Sequence, residues 1–344
     1  MKQVVLLGNP DTKRTIYLER AAAQAGISVH VIDWRDWKNQ QAEVYNDELF
    51  LKIDPPLWES CSLEELDRLT GEYIGVLEEL SHVARTHSVT FLNEPYVIEA
   101  LLDKRACKHK LFLAGVPVTE SLSGWSVQGR PTCQLLEWMK EERICQVFIK
   151  PVRGSGAAGV SAFRYQPSTG RMVLYTCALQ SPEYGLINTK RLRQFSAAEE
   201  IIPLLDQILA LDCIVEKWYA KAEYQGFSYD LRVVVQDNRV DFAVARLSKG
   251  PITNLHLNNH PLEADKLGLP AAVLDSVAEL CQKSMECYPG LRSAGIDVLL
   301  EKGSLKPRVI EMNAQGDLIY QDIYHENYIY CHQAEMMKNW LYHI

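Results

Sequence analysis

The stretch Ile144–Arg164, ICQVFIKPVRGSGAAGVSAFR, decides how this chain is read. Its opening run, Ile144 to Ile149, is short and apolar like a buried strand, and it ends in Lys150 and Pro151. A loop of small residues follows, Gly154-Ser155-Gly156-Ala157-Ala158-Gly159. Small residues let backbone N–H groups approach an anion closely, and several such groups together form a concave phosphate cradle. The loop spells G-x-G-x-x-G. The dinucleotide fingerprint of that form needs a helix to open at the loop, because the pyrophosphate rests on the helix N-terminus. Here Val160 to Tyr165 alternates apolar and polar residues, which predicts a second strand. Strand, glycine loop and strand make a flap, and a lysine entering it suggests a nucleoside triphosphate clamped from above. Taken alone, a plain glycine turn is an equal reading. The same small residues predict few apolar contacts for the flap, the mark of a mobile lid.

On the N-terminal side, the order from Gln3 is strand, turn, helix and strand, with Gly26 as a C-cap and Ile27 to Ile32 as the second strand. The Leu7-to-Thr12 turn lacks glycine-rich phosphate chemistry, so Asp33 reads as a plain strand-end aspartate. The aromatic segment from Trp34 to Ser60 reads as an irregular insertion. Leu63 to Val83 has helical spacing, Val89 to Leu92 reads as a strand, and Val97 to Ala114 reads as one helix. These elements predict an α/β lobe over residues 1–94, a second unit over 95–213 carrying the flap, and a third over 214–344.

On the C-terminal side, Cys213 to Trp218 is a short buried strand ending in Glu216-Lys217-Trp218. Tyr229 to Gln236 and Val240 to Arg246 predict a hairpin, as do Ile296 to Leu300 and Arg308 to Met312. In an antiparallel pair, a turn centred on Asn238 sets Arg246 across from Asp230, with Arg232 on the same face. A turn centred on Ser304 sets Asp297 opposite Glu311, with Asn313 on that face. Two carboxylates and an amide oxygen in one patch suit Mg²⁺, and facing like charges are destabilising unless a cation offsets them. Two surface carboxylates on a hairpin are the plainer alternative. Arginine offers a rigid fork for phosphate or carboxylate, and a sheet-face ion pair with Asp230 is the plainer reading there.

Composition excludes several classes. The chain has 344 residues, 36 basic against 44 acidic, for a net charge of −8, so nucleic acid is a poor default partner. No run approaches the roughly 20 apolar residues that span a bilayer, so no membrane is expected. Nine cysteines without a C-x-x-C pair point to a reduced, cytoplasmic setting, with the thiols acting mostly as small core residues. His256 and His260 lack the companion ligands of a zinc site.

Taken in order, Asp103-Lys104, Lys150, the Gly154–Gly159 flap, Glu216-Lys217-Trp218, Asp230-x-Arg232, Arg246, Asn254, Asp297 and Glu311-x-Asn313 resemble the ATP-grasp superfamily. The likeness is nearest to RimK-like and glutathione-synthetase-like ligases and runs from about Asn93 onward. It implies an ATP-grasp fold of α/β (α+β) class with an N-terminal Rossmann-like pre-ATP-grasp lobe. It further implies that Lys104, Lys150 and the flap residues Gly154, Ser155, Gly156 and Gly159 hold ATP phosphates. Glu216, Lys217 and Trp218 would be the adenine hinge, and Asp230 would lie near the ribose or the phosphate network. Asp297, Glu311 and Asn313 would hold Mg²⁺, two ions in the family pattern, with Mn²⁺ an alternative. Arg246 would stabilise the transferring phosphoryl group, and Arg232 or Asn254 would help bind substrate.

The flap has Ala157-Ala158 where the family more often spaces its glycines as G-S-x-G-x-G. The expected activity is ATP-dependent joining of a carboxylate to an amine or similar nucleophile, with small-molecule or peptide substrates. A small-molecule kinase on the same fold and a non-catalytic nucleotide-binding regulator are the alternatives, and homodimerisation is left open.

Overall fold

A computed structural model describes residues 2–44, 48–83, 85–122, 130–154, 156–315 and 327–343. Ser155 of the flap and Tyr45 of the aromatic segment lie outside the described residues. The first lobe comprises β1 (Lys2–Gly8), α1 (Lys13–Ala25), β2 (His30–Asp33), α2 (Trp37–Val44), β3 (Glu48–Ile53), α3 (Leu63–Val83) and β4 (Val89–Phe91). Its sheet is wholly parallel in the order β2-β1-β3-β4. Gly26 ends α1 in the left-handed conformation at φ +76°, closing the helix on Ala22 and Ala23 carbonyls.

One sequence expectation fails here. The Trp34–Ser60 segment is no irregular insertion, since β3 lies inside it as an inner strand with Leu49, Phe50 and Leu51 fully buried. A parallel strand covered on both faces loses the two-residue alternation that marks half-buried strands, and aromatic neighbours hid this one.

A second correction concerns the helix expected over Val97 to Ala114. It is two helices, α4 (Pro95–Leu102) and α5 (Lys104–Leu113), broken at Asp103. Asp103 leaves helical geometry (φ −94°, ψ 101°), and its carboxylate accepts the Ala106 N–H at 2.8 Å. An aspartate that caps the following turn competes with continuing the helix.

The flap unit contains α6 (Thr132–Glu141), β5 (Gln146–Pro151), β6 (Ser161–Gln166), β7 (Arg171–Ser181), β8 (Gly185–Phe195), α7 (Ala198–Ala210) and β9 (Cys213–Lys217). Its sheet runs β8-β7-β6-β5-β9 and is antiparallel throughout. Because β5 pairs directly with β6, the glycine loop joins two strands as the sequence predicts. The third sheet is built from β10 (Glu223–Tyr224), β11 (Phe227–Gln236), β12 (Arg239–Ser248), β13 (His260–Glu263), β14 (Ser293–Leu300) and β15 (Pro307–Asn313), backed by α8 (Ala271–Glu286). The last helix, α9 (Tyr328–Tyr342), returns to the first lobe and packs on α1.

One continuous core joins the first lobe to the third sheet, with Leu7, Leu51 and Leu77 in the same cluster as Val233, Ile296 and Val298. The flap sheet keeps its own core against α6 and α7. Four cysteines (Cys107, Cys177, Cys213 and Cys281) are buried, whereas Cys61, Cys133 and Cys145 are exposed, so the core expectation holds for fewer than half. No helix among the described residues is long and apolar enough to cross a membrane.

Candidate active site

Both hairpins fold in the expected register. Asp230 pairs with Arg246 across β11 and β12, and Asp297 pairs with Glu311 across β14 and β15, with Asn313 two residues further on. A register shift follows each functional pair, between Val234 and Val235 and between Asp297 and Val298. These side chains line a cleft between the third sheet and the flap sheet. Lys104, Lys150, Gly154, Gly156, Glu216, Lys217, Arg232 and Asn254 line it as well. Lys104 reaches the cleft because the helix break at Asp103 starts α5 there. Its backbone N–H donates to the Val152 carbonyl at 3.1 Å and its Nζ to the Gly154 carbonyl at 2.6 Å.

The charges form two linked groups. Arg246 donates from Nε and Nη2 to both Asp230 oxygens, at 2.7 and 2.9 Å, and its Nη2 also lies 2.9 Å from Asp297 Oδ2. Arg232 grips Asp297 through Nε and, at 3.2 Å, through Nη2. Burial pushes the Asp230 pKa up, but Arg246, Lys221 and the hydrogen bonds from Arg246 and Thr253 outweigh it. They hold the carboxyl well below the usual carboxylate range. On the flap side, Glu216 accepts from Lys150 Nζ at 2.8 Å and lies 3.0 Å from Lys108 Nζ. Burial again opposes its charge, and the two lysines prevail, lowering its pKa. The lining carries six cationic side chains (Lys104, Lys150, Lys217, Lys221, Arg232 and Arg246) against four carboxylates (Glu216, Asp230, Asp297 and Glu311). Such a surplus of positive charge suits an anionic ligand.

The flap is better anchored than its composition suggests. Ala158 is buried in the flap-sheet core, and Ala157 and Val160 pack in a cluster with Ile252, Leu257 and Cys177. The Cys177 thiol donates to the Ala157 carbonyl at 3.0 Å. Gly159 does not line the cleft. It sits at φ +67°, and a Cβ there would lie 2.7 Å from Pro151 Cγ, so it is the packing residue under the loop. Within the Glu216-Lys217-Trp218 segment, the Glu216 side chain points inward to the lysines, and the Lys217 N–H is spent on the Glu120 carbonyl at 2.9 Å. Trp218 packs at a tilt on the back of the cleft-lining Phe148 and under Arg164 without itself lining the cleft, and Tyr219 lines it instead.

Sequence reasoning missed Lys221, Lys108 and Thr119. Lys221 lines the cleft and donates to Thr253 Oγ1 at 2.6 Å. Lys108 follows Lys104 by one helical turn, and that spacing was a legible signal that both point to one side. For Lys221 and Thr119 no sequence signal was visible.

Oxygen donors from Asp297, Glu311 and Asn313 fit a hard cation such as Mg²⁺. Among the described residues no group of three or more His, Cys, Asp or Glu could hold a metal, so such an ion would lean on ligand phosphates and water. Facing like charges do not by themselves demand a metal here. Asp297 is compensated by two arginines, and Lys104 Nζ lies 3.8 Å from Glu311.

No protein-family profile matches the sequence, and no curated protein matches it either. Solved structures do match over nearly the whole chain. D-cycloserine synthetase DcsG is 14% identical with a TM-score of 0.63, covering 97% of this chain and 99% of its own. Macrocyclase MdnC from Microcystis aeruginosa MRC, bound with precursor peptide MdnA, is 11% identical with a TM-score of 0.62, covering 98% and 100%. ATP-grasp ligase PsnB, complexed with a minimal precursor, Mg and ADP, is 15% identical with a TM-score of 0.57, covering 97% of each chain. The fold is ATP-grasp. The mixed α/β architecture expected from the sequence is therefore the observed one, and the cleft lies between the flap sheet and the two hairpins.

Proposed function

We propose that this chain is an ATP-dependent ligase that phosphorylates a carboxylate and joins the resulting acyl group to an amine or similar nucleophile. The carrying observation is the excess of cationic side chains around a cleft roofed by a glycine flap. Phosphoryl transfer asks the protein mainly for positioning and charge neutralisation. Lys104, Lys150 and Lys221 would hold phosphate oxygens, with Gly154 and Gly156 above them. Arg246, fixed by Asp230, would face the charge that grows on the transferring group. Asp297, Glu311 and Asn313 would hold Mg²⁺, which when bound would draw charge from the phosphates. A substrate carboxylate oxygen attacks the γ-phosphorus and ADP leaves. The nucleophile then attacks the acyl carbon, forming the new bond and expelling phosphate.

Peptide and small-molecule acids both fit this reading, since the similar structures include a macrocyclase holding a precursor peptide and a cycloserine synthetase. The test is a screen for ADP release from Mg-ATP with candidate acids and amines, with mass spectrometry of the products. A product heavier than the acid by phosphate alone would replace the ligase reading with a kinase.

A further inference from the structure

Lys108 is buried and does not line the nucleotide cleft. Its Nζ lies 3.0 Å from Glu216 Oε1 and donates to the Thr119 carbonyl at 3.1 Å and to the Thr119 hydroxyl. The other carboxylate oxygen of Glu216 receives Lys150 Nζ at 2.8 Å and the Thr119 hydroxyl at 3.0 Å. Glu216 is therefore divided between two ammonium groups, and only Lys150 faces the cleft.

We propose that Lys108 is a positioning residue that neutralises Glu216 from behind, so that the charge of Lys150 is available to ligand phosphates instead of being consumed in a one-to-one ion pair. The proposal rests on the nucleotide-binding reading of the cleft given above. Two lysines on one carboxylate leave a surplus positive charge, and Lys150 is the member placed to present it. Without Lys108 the group becomes a neutral Glu216–Lys150 pair in a low-dielectric setting, where such a pair holds together strongly. The hydroxyl and carbonyl of Thr119 fix the geometry but carry no charge.

Protonation gives the arrangement a further consequence. Burial lowers the Lys108 pKa to about 8, with Glu216 resisting and Lys150 adding to the effect. The titratable and charged groups facing it are Glu216 on β9, Lys150 on β5 and Cys107 on its own helix. The Cys107 thiol is pushed up to about 11 and stays neutral below that. As pH rises through 8, Lys108 sheds its proton and the surplus charge is lost.

The experiment is calorimetric titration of the full chain with Mg-ADP from pH 7 to 9. It uses the parent, Lys108→Met, and the double variant Lys108→Met/Glu216→Gln. The expected result at pH 7 is an affinity loss of about tenfold in Lys108→Met, with most of it regained in the double variant because Lys150 is released. Parent affinity should fall across pH 8, while both variants stay flat over that step. Equal binding by parent and Lys108→Met would overturn the proposal. So would a double variant weaker than the single one, which is the pattern of mere structural support. If Lys108→Met fails to fold by circular dichroism, the double variant decides alone. Its affinity should lack the fall across pH 8 that the parent shows, and keeping that fall would overturn the proposal. A parent that binds no Mg-ADP would instead refute the nucleotide reading.

Discussion

Arg246 holds Asp230 with both arms of its guanidinium, Nε and Nη2 to Oδ1 and Oδ2 at 2.7 and 2.9 Å, directly across the β11–β12 ladder. Both groups are buried, at 4% and 2% exposure, so each is the other's main compensation for lost solvent. Asp230→Asn would leave Arg246 partly uncompensated, and we expect a loss of about 3–5 kcal/mol at pH 7. The folded-state pKa of Asp230 is depressed, so its contribution is fully present above the unfolded value of about 4 and is lost as pH falls through the folded value. Denaturant unfolding of parent and variant at pH 7, where the difference should be full, and well below pH 4, where it should shrink, checks this. A variant within about 1 kcal/mol of the parent would show that the pair is not structural.

Glu311 tests the metal face of the cleft. Its nearest cationic partner is Lys104 at 3.8 Å, a loose contact, so Glu311→Gln should change stability by less than about 1 kcal/mol. Turnover should fall by about a hundredfold or more if the carboxylate holds Mg²⁺ at the phosphates. Near-normal ATP consumption at saturating Mg²⁺, once an active substrate pair is found, would remove Glu311 from the assignment.

Gly159 and Gly156 separate packing from openness in the flap. Both have positive φ, +67° and +63°, so alanine strains the backbone at either position. Only at Gly159 does the new Cβ also strike a rigid neighbour, Pro151 Cγ at 2.7 Å, whereas at Gly156 it meets His256 Cδ2 at 3.7 Å. Gly159→Ala should therefore be the more destabilising by about 1–3 kcal/mol. Equal melting temperatures for the two variants would contradict this account of the loop.

Ligand linkage offers a test that needs no substrate. Mg-ATP at about 100 times its dissociation constant should add roughly 2.7 kcal/mol, seen as a raised melting temperature. Adding a chelator should reverse most of the rise if the ion bridges protein and phosphates. No shift with either Mg-ATP or Mg-ADP would argue that the cleft does not take a nucleotide.

The parts of this site legible in the sequence are those governed by local periodicity. Antiparallel pairing made Asp230–Arg246 and Asp297–Glu311 readable from the turns, because centring them on Asn238 and Ser304 absorbs the one-residue shift that lies between each turn and its pair. The glycine flap was readable as strand–loop–strand because the alternation after Val160 excludes a helix. What depends on three-dimensional burial was not readable. β3 carries the apolar run of a doubly covered strand inside an aromatic segment, and the α4–α5 break depends on one aspartate choosing a cap over a continuing turn. Glu216 looked like a hinge residue by its place in the chain, yet its side chain serves Lys150, 66 positions away, and Lys108. Lysines such as Lys108, and Lys221 with its side chain 9% exposed, look like surface residues until the fold closes over them.

The return of α9 to the first lobe bears on how the protein is made. Tyr330, Ala334 and Met337 share a core with Val4, Leu6, Leu18 and Phe50, and Lys2 Nζ donates to the Trp340 carbonyl across a separation of 338 residues. At about 5–20 residues per second, a ribosome needs roughly 17 to 68 s to cover that distance. Throughout that interval this face of the nascent first sheet is packed by α1, through Leu18, Ala21 and Ala22, and lacks α9. The core that Val4, Leu6 and Phe50 start is thus completed only once α9 has been made.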